Sequence, residues 1–354
     1  MRKVVIEKPG GYDRLKVVEA PDPQPGPGEA VVRTEAVAVN FADTAIRMGL
    51  YSSAKKLHGF PITPGFEFAG TVEKLGPTKE KPDSSLGPYS QGLAEGDSVL
   101  GVSLFGGFAS HVVVPLHQIF RRPEVLSVDA AAGFPVVHLT AWYALKELAN
   151  VRPGRWVLVH SAAGGVGCAA VQVAKLLGCH VVGVVGASHK VETVKQYGAD
   201  AVVDKSAGEL WKQVEAVRPE KFDVVLDPNG RATLWQSFMH LRKPGRLVLY
   251  GFATMLKKGK GTPSWPKLFW DYLRTPRFNP IKLVDGNRSV LAFNLSYLFN
   301  EHDLLTEGMT QLLEWREAGK LVDPPLNTYS LDDVAKAQRD IEAGQTRGKL
   351  ILKP

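Results

Sequence analysis

Val157-Leu158-Val159-His160-Ser161-Ala162-Ala163-Gly164-Gly165-Val166-Gly167 is the stretch whose reading decides the fold. An apolar strand runs into a glycine-rich turn, and a helix with Val166, Ala169, Ala170, Val173, Ala174 and Leu177 on its apolar stripe starts at once. Glycine there lets backbone N–H groups approach an anion, and the helix N-terminus supplies the positive end of its dipole. Ala162 stands where the G-x-G-x-x-G pattern has its first glycine, so the bare pattern is weak. The strand–turn–helix context carries the reading, against the alternative of a tight turn that holds no ligand.

Working outward, the chain alternates strand and helix. Strands are expected at Trp156 to His160, His180 to Val185, Ala201 to Val203, Phe222 to Asp227 and Arg246 to Gly251. Between them helices are expected at Val166 to Leu177, Lys190 to Tyr197, Glu209 to Val217 and Ala232 to Leu241. Near-continuous apolar strands alternating with helices predict a parallel sheet buried on both faces, the doubly wound Rossmann arrangement of an α/β protein. The first 120 or so residues read differently. Short runs at Val4 to Ile6, Ala30 to Val39, Phe68 to Val72, Ser98 to Val102 and Phe108 to Val114 are separated by Gly/Pro clusters. They predict a β-rich barrel or sandwich domain, with a mobile loop from Gly76 to Gly96.

Composition narrows the classes. The 354 residues are 44% hydrophobic and 22% charged, which excludes wholesale disorder and a polytopic membrane protein. A net charge of +7 is modest for this length and suits an anionic small ligand better than a nucleic-acid groove. Two cysteines, Cys168 and Cys179, exclude a disulfide framework and a multi-cysteine zinc lobe. Met1 to Gly10 has no apolar core of signal-peptide length, which points to a cytoplasmic protein.

The end of the second Rossmann strand bears on the cofactor. NAD sites place an acid there for the ribose hydroxyls. Here Val184-Val185-Gly186-Ala187-Ser188-His189-Lys190 has none. Ser188 can donate to a 2′-phosphate and Lys190 can neutralise it, which favours NADPH over NADH. The alternative for Lys190 is a solvated helix start.

Asn40-Phe41-Ala42-Asp43, Pro64-Gly65-Phe66-Glu67, the glycine turn and Arg347-Gly348-Lys349-Leu350-Ile351-Leu352 occur in one order along the chain. In that combination the sequence resembles the medium-chain dehydrogenase/reductase family over nearly its whole length, in the zinc-independent quinone oxidoreductase branch. Asp227-Pro228, Tyr250-Gly251 and Asn287-Arg288 bring it nearest the vesicle amine transport protein homologues. The resemblance implies a GroES-like catalytic domain over 1–126, completed by about 302–354, and a Rossmann domain over 127–301. It further implies a cleft between them, a homodimer and NADPH-dependent reduction of a quinone or α,β-unsaturated carbonyl. An NADPH-binding protein that acts mainly through membrane, nucleic-acid or protein association is the alternative. Zinc-dependent relatives have Cys at Asn40 and His at Phe66, so no metal is expected.

By the same resemblance, Asn40 and Tyr51 face the substrate and could hydrogen-bond a carbonyl oxygen. Tyr51 could also donate a proton, although a phenol with a pKa of about 10 is a poor acid at neutral pH; a plain rim residue is its alternative. Cofactor contacts are implied for Asn40, Thr140, Ala163, Gly164, Gly165, Val166, Gly186, Gly251, Phe252, Arg347 and Lys349, beside Ser188 and Lys190. Thr140 would lie near the nicotinamide, with helix packing as its alternative. Lys205 replaces a family tyrosine near the 2′-phosphate and adds charge, unless Asp204 pairs with it. His138, His160, Cys168 and Cys179 read as satisfied interior residues. Lys257 to Asp285 carries a net +5, and Trp265, Leu268, Phe269 and Tyr272 share one helix face. That face is expected to be buried, as a lid or dimer element, rather than free as a membrane contact.

Overall fold

The computed structural model describes residues 1–77, 86–256 and 259–354. The middle of the Gly76 to Gly96 loop, and Lys257 and Lys258, lie outside the described residues. Two compact units result: Met1–Leu139 with residues 259–262 and Leu295–Pro354, and residues 140–256 with Pro263–Asn294.

In the first unit, β1 (Arg2–Val5) and β2 (Lys16–Glu19) form an antiparallel ribbon. β3 (Glu29–Val39) is flanked by β4 (Glu67–Leu75); β5 (Ser98–Val102), β6 (His111–Pro115) and β7 (Ile119–Arg121) extend the sheet. These strands are rich in valine and alternate or fully bury their side chains, as a closed-over antiparallel core requires. The helices α1 (Phe41–Arg47) and α2 (Ser52–Leu57) lie between β3 and β4 in sequence, and α3 (Val128–Ala132) and α4 (Pro135–Trp142) follow β7.

The second unit opens with β8 (Trp156–Val159) and alternates from there. In chain order come α5 (Gly165–Leu176), β9 (His180–Val185), α6 (Val191–Gln196), β10 (Ala201–Asp204), α7 (Leu210–Val217) and β11 (Phe222–Asp227). Then follow α8 (Leu234–Met239), β12 (Leu241–Leu249), α9 (Trp265–Leu273), α10 (Pro280–Gly286) and β13 (Arg288–Ala292). All six strands are parallel, in the order β10-β9-β8-β11-β12-β13. The order reverses direction between β8 and β11, and such a switch point opens a crevice at the strand C-termini. Leu158, Val182, Val225, Phe222 and Leu247 form its core, each fully shielded from solvent. The helix expected over 232–241 is shorter, because Leu241 already pairs with Phe222 and starts β12.

The chain then returns to the first unit with α11 (His302–Glu317), β14 (Leu326–Ser330), α12 (Val334–Ala343) and β15 (Lys349–Lys353). β15 runs antiparallel to β3, with Leu350 opposite Val39, and β14 runs parallel to β15. Buried Arg47 ties α1 to α12 by pairing with Glu342 and bonding Gln338 at 2.7 Å.

Within the single chain, the expected burial of one face is not met. The α9 face carrying Trp265, Phe269 and Tyr272 is not buried: these residues are 66%, 60% and 69% exposed. The helix turns its polar side inward instead, burying Asp271 between Lys267 and Arg231. A carboxylate leaves water only with such partners, so the ion pairs set the rotation of the helix.

Candidate functional site

The glycine turn is built by close approach. Ser161 adopts φ +54°, and a Cβ on Gly167 would meet Ser161 O at 2.3 Å, so only glycine lets α5 begin this near β8. Cys168 donates to Gly164 O at 2.8 Å, which leaves the N–H groups of Gly165, Val166 and Gly167 ahead of that bond at the helix N-terminus. Ala163 is buried behind the turn. A Cβ at Gly164 would meet only Ser161 O, at 3.4 Å, and one at Gly186 only Lys205 Cε, at 3.4 Å. The turn therefore has open room beside helix-end donors, the shape and polarity a pyrophosphate needs.

A second turn is stitched to the end of β12. Fully buried Asp227 accepts from Asn229 N (2.8 Å), Gly230 N (3.1 Å), Thr233 Oγ1 (2.7 Å) and Ser237 Oγ (2.8 Å). Ser237 Oγ in turn meets His160 Nε2 at 3.0 Å, and Ser161 Oγ donates to Asn229 Oδ1 at 3.1 Å. Burial pushes the His160 imidazolium down toward neutrality. A Cβ on Gly251 would lie 2.8 Å from Pro228 O, while half-exposed Phe252 packs over Gly230. These bonds join the turns after β8 and β11, and Ala253 N donating to Pro228 O at 3.0 Å and Thr254 Oγ1 to Asn229 O at 2.7 Å add the turn after β12.

At the ribose end, one sequence reading needs correction. Ser188 donates its hydroxyl proton to Asp204 Oδ2 at 2.6 Å, so that proton is not free for a phosphate. Lys205 lies across Gly186, and Lys190 closes the short turn before α6. Asp204 also accepts from Ser206 N (2.8 Å) and Ser206 Oγ (2.6 Å). Thr140 is buried in α4.

In the first unit, the ends of β3, β4 and β15 bring Asn40, Glu67 and Lys349 together. Asn40 Nδ2 donates to Glu67 Oε1 at 2.9 Å, and Lys349 Nζ donates to Asn40 Oδ1 at 2.9 Å. Lys349 also donates to Glu67 Oε1 at 2.6 Å and Val39 O at 3.3 Å; Val136 N donates to Glu67 Oε2 at 2.8 Å. An acid on one side and an ammonium on the other admit a single orientation of the Asn40 amide. The three ammonium protons of Lys349 are all engaged, so a direct cofactor contact from it is not supported. Arg347, two residues earlier, is exposed. Asp43, fully buried, accepts from Asn40 N at 2.7 Å and Gly65 N at 3.0 Å. Burial, reinforced by Glu67, pushes its carboxyl up to about 7.

Half-buried Tyr51 has its hydroxyl 2.9 Å from Ser296 Oγ, and its ring meets Phe66 edge-on at 5.8 Å. His138 bonds Phe134 O at 2.8 Å, and burial lowers its pKa to about 4. Cys168 and Cys179 are buried free thiols, pushed up to about 12 and about 11 by burial. The role of Glu67 as the hub of the Asn40 cluster escaped the sequence, since its partners are far apart in the chain.

Two family patterns match the sequence: the Alcohol dehydrogenase GroES-like domain over residues 26–124 and the Zinc-binding dehydrogenase domain over residues 165–274. The Synaptic vesicle membrane protein VAT-1 homolog of Danio rerio is 33% identical over 357 residues, covering 99% of this chain and 69% of that protein. A 2-haloacrylate reductase from Burkholderia sp is 28% identical over 364 residues, covering 99% of this chain and 98% of that one. The crystal structure of Escherichia coli quinone oxidoreductase complexed with NADPH superposes with a TM-score of 0.83 at 27% identity, covering 100% of both chains. With the GroES-like and Rossmann units matched in turn and nearly the whole of this chain aligned to the VAT-1 homologue, this chain belongs to the medium-chain dehydrogenase/reductase family, in its quinone oxidoreductase branch.

Proposed function

We propose that this chain is an NADPH-dependent, zinc-independent oxidoreductase that reduces a quinone or an α,β-unsaturated carbonyl. The observation that carries the reading is the open glycine turn at the N-terminus of α5. It is supported by the NADPH complex of the quinone oxidoreductase and by a relative named for reducing a haloacrylate, itself an activated alkene. NADPH supplies the hydride. The N–H groups of Gly165, Val166 and Gly167 hold the pyrophosphate, and Lys190 and Lys205 balance the charge of the 2′-phosphate. Asn40 keeps one amide N–H after bonding Glu67, and offers it to the acceptor's carbonyl oxygen. Tyr51, with its hydroxyl against Ser296, is the candidate proton donor. The working unit is a homodimer, to be checked by light scattering.

Purified protein should oxidise NADPH in the presence of quinones or enones and bind NADPH more tightly than NADH. Lys190→Ala should remove about 1.5–3 kcal/mol of that preference, the worth of a charge-assisted contact. Equal affinity for both nucleotides in the unaltered protein would defeat the reading.

The exposed aromatic face of α9 favours a second reading, an NADPH-binding protein that acts chiefly through a surface. Among the described residues no helix is long and apolar enough to cross a membrane. Binding to anionic liposomes without turnover of any quinone or enone would favour this second reading.

A further inference from the structure

β9 and β10 are parallel neighbours with Val185 opposite Asp204, so the residues just past β9 lie beside the end of β10. That is where a Rossmann sheet receives the adenosine ribose. Ser188 Oγ donates to Asp204 Oδ2 at 2.6 Å, and Ser206 donates to Oδ1 from N at 2.8 Å and from Oγ at 2.6 Å. His189 contributes positive potential, and Gln213 Nε2 fixes the backbone by donating to Asp204 O at 3.0 Å. The Ser188 and Ser206 hydrogen bonds hold the carboxyl below the usual carboxylate range, so it is ionised at neutral pH. A serine hydroxyl has one proton to give. While Asp204 takes it, Ser188 turns only lone pairs toward a phosphate, and the carboxylate adds a like charge beside it.

Resting on the NADPH reading above, we propose that Asp204 is a specificity-determining residue of the cofactor site. It keeps the Ser188 proton for itself and repels the 2′-phosphate, so it weakens the preference for NADPH that Lys190 and Lys205 create. A residue that tunes the nucleotide preference then lies on the third strand of the sheet, beyond the end of the second, where sequence reasoning looks for it.

The test measures dissociation constants of NADPH and NADH by titrating nucleotide fluorescence, with no acceptor present. The proteins are the unaltered chain, Asp204→Asn, Asp204→Ser, Ser188→Ala and Asp204→Asn/Ser188→Ala. Both Asp204 variants should raise the NADPH preference about tenfold or more, mainly by tightening NADPH, since a charge repulsion is removed and a charge-assisted bond gained. Ser188→Ala should cost the preference at least several-fold more in the Asp204→Asn background than alone, because only there is the hydroxyl proton released. An unchanged preference in both Asp204 variants, or equal Ser188→Ala effects in both backgrounds, would overturn the proposal. If the unaltered chain binds neither nucleotide, the NADPH reading fails and this proposal falls with it; that result is visible before any variant is compared.

Discussion

Asp43 concentrates the electrostatics of the first unit in one carboxyl group. It has no exposed surface, two backbone N–H donors, and Glu67 and Lys349 as charged neighbours. Burial favours the protonated form, and the group titrates near 7 instead of near 3.8. The sign follows from linkage. Between about pH 4 and 7 the folded chain keeps a proton that the unfolded chain has released, so stability falls as pH rises through that window. Asp43→Asn is neutral at every pH and loses one backbone acceptor, a cost that does not vary with pH. The stability of Asp43→Asn relative to the unaltered protein should therefore improve from pH 4 to 7 by a few kcal/mol, at about 1.4 kcal/mol per unit of pKa difference. Urea unfolding at a series of pH values measures this, and a flat difference would show Asp43 to be ionised throughout. Part of the cluster was legible in the sequence. Asn40-Phe41-Ala42-Asp43 stood out as a motif, while its part in starting a helix, with Asp43 reaching back to the Asn40 N–H, is seen only in the structure. The pull of burial on Asp43 was not legible, since it depends on what packs around the helix.

At the scale of elements, the strands were the most readable parts. Ser98–Val102, His180–Val185 and Phe222–Asp227 occupy the spans that their apolar runs predict. Runs buried at nearly every position leave little choice of face, so periodicity cannot mislead. The helix α9 is the opposite case. Its aromatic stripe at helical spacing was readable, but which side faces the protein is decided by Asp271, whose partners Lys267 and Arg231 lie on and beyond the helix. A stripe reveals amphipathicity, not orientation. The consequence is measurable, because Trp265 and Trp270 are two of the seven tryptophans in the chain, and both are more than half exposed. Acrylamide should quench a fraction of the fluorescence that disappears in Trp265→Phe/Trp270→Phe. Unaltered quenching in that variant would mean the face is covered in solution. Fully buried Trp142 should stay unquenched in both proteins.

At the scale of the whole chain, the first unit is closed by its far end: Lys349 in the last strand pairs with Glu67, 282 positions earlier. No local pattern announces such a pairing, although each residue stands in a motif of its own. It also bears on metals. Catalytic zinc is held by thiolate, imidazole and carboxylate groups, and the sequence offers Asn40 and Phe66 where two of these would stand. The remaining acid, Glu67, already has one oxygen on the Lys349 ammonium and the Asn40 amide and the other on Val136 N. A divalent cation would have to displace Lys349, stranding a buried ammonium at a cost of several kcal/mol. Protein dialysed against EDTA should therefore contain no stoichiometric zinc by elemental analysis and should keep both its melting temperature and its NADPH-dependent turnover of quinones or enones. The melting temperature makes the test independent of the acceptor chosen, because a structural metal would reveal itself there even if turnover were slow. Activity or melting temperature lost in EDTA and restored by Zn²⁺ would show that the Lys349–Glu67 pair yields to a metal after all.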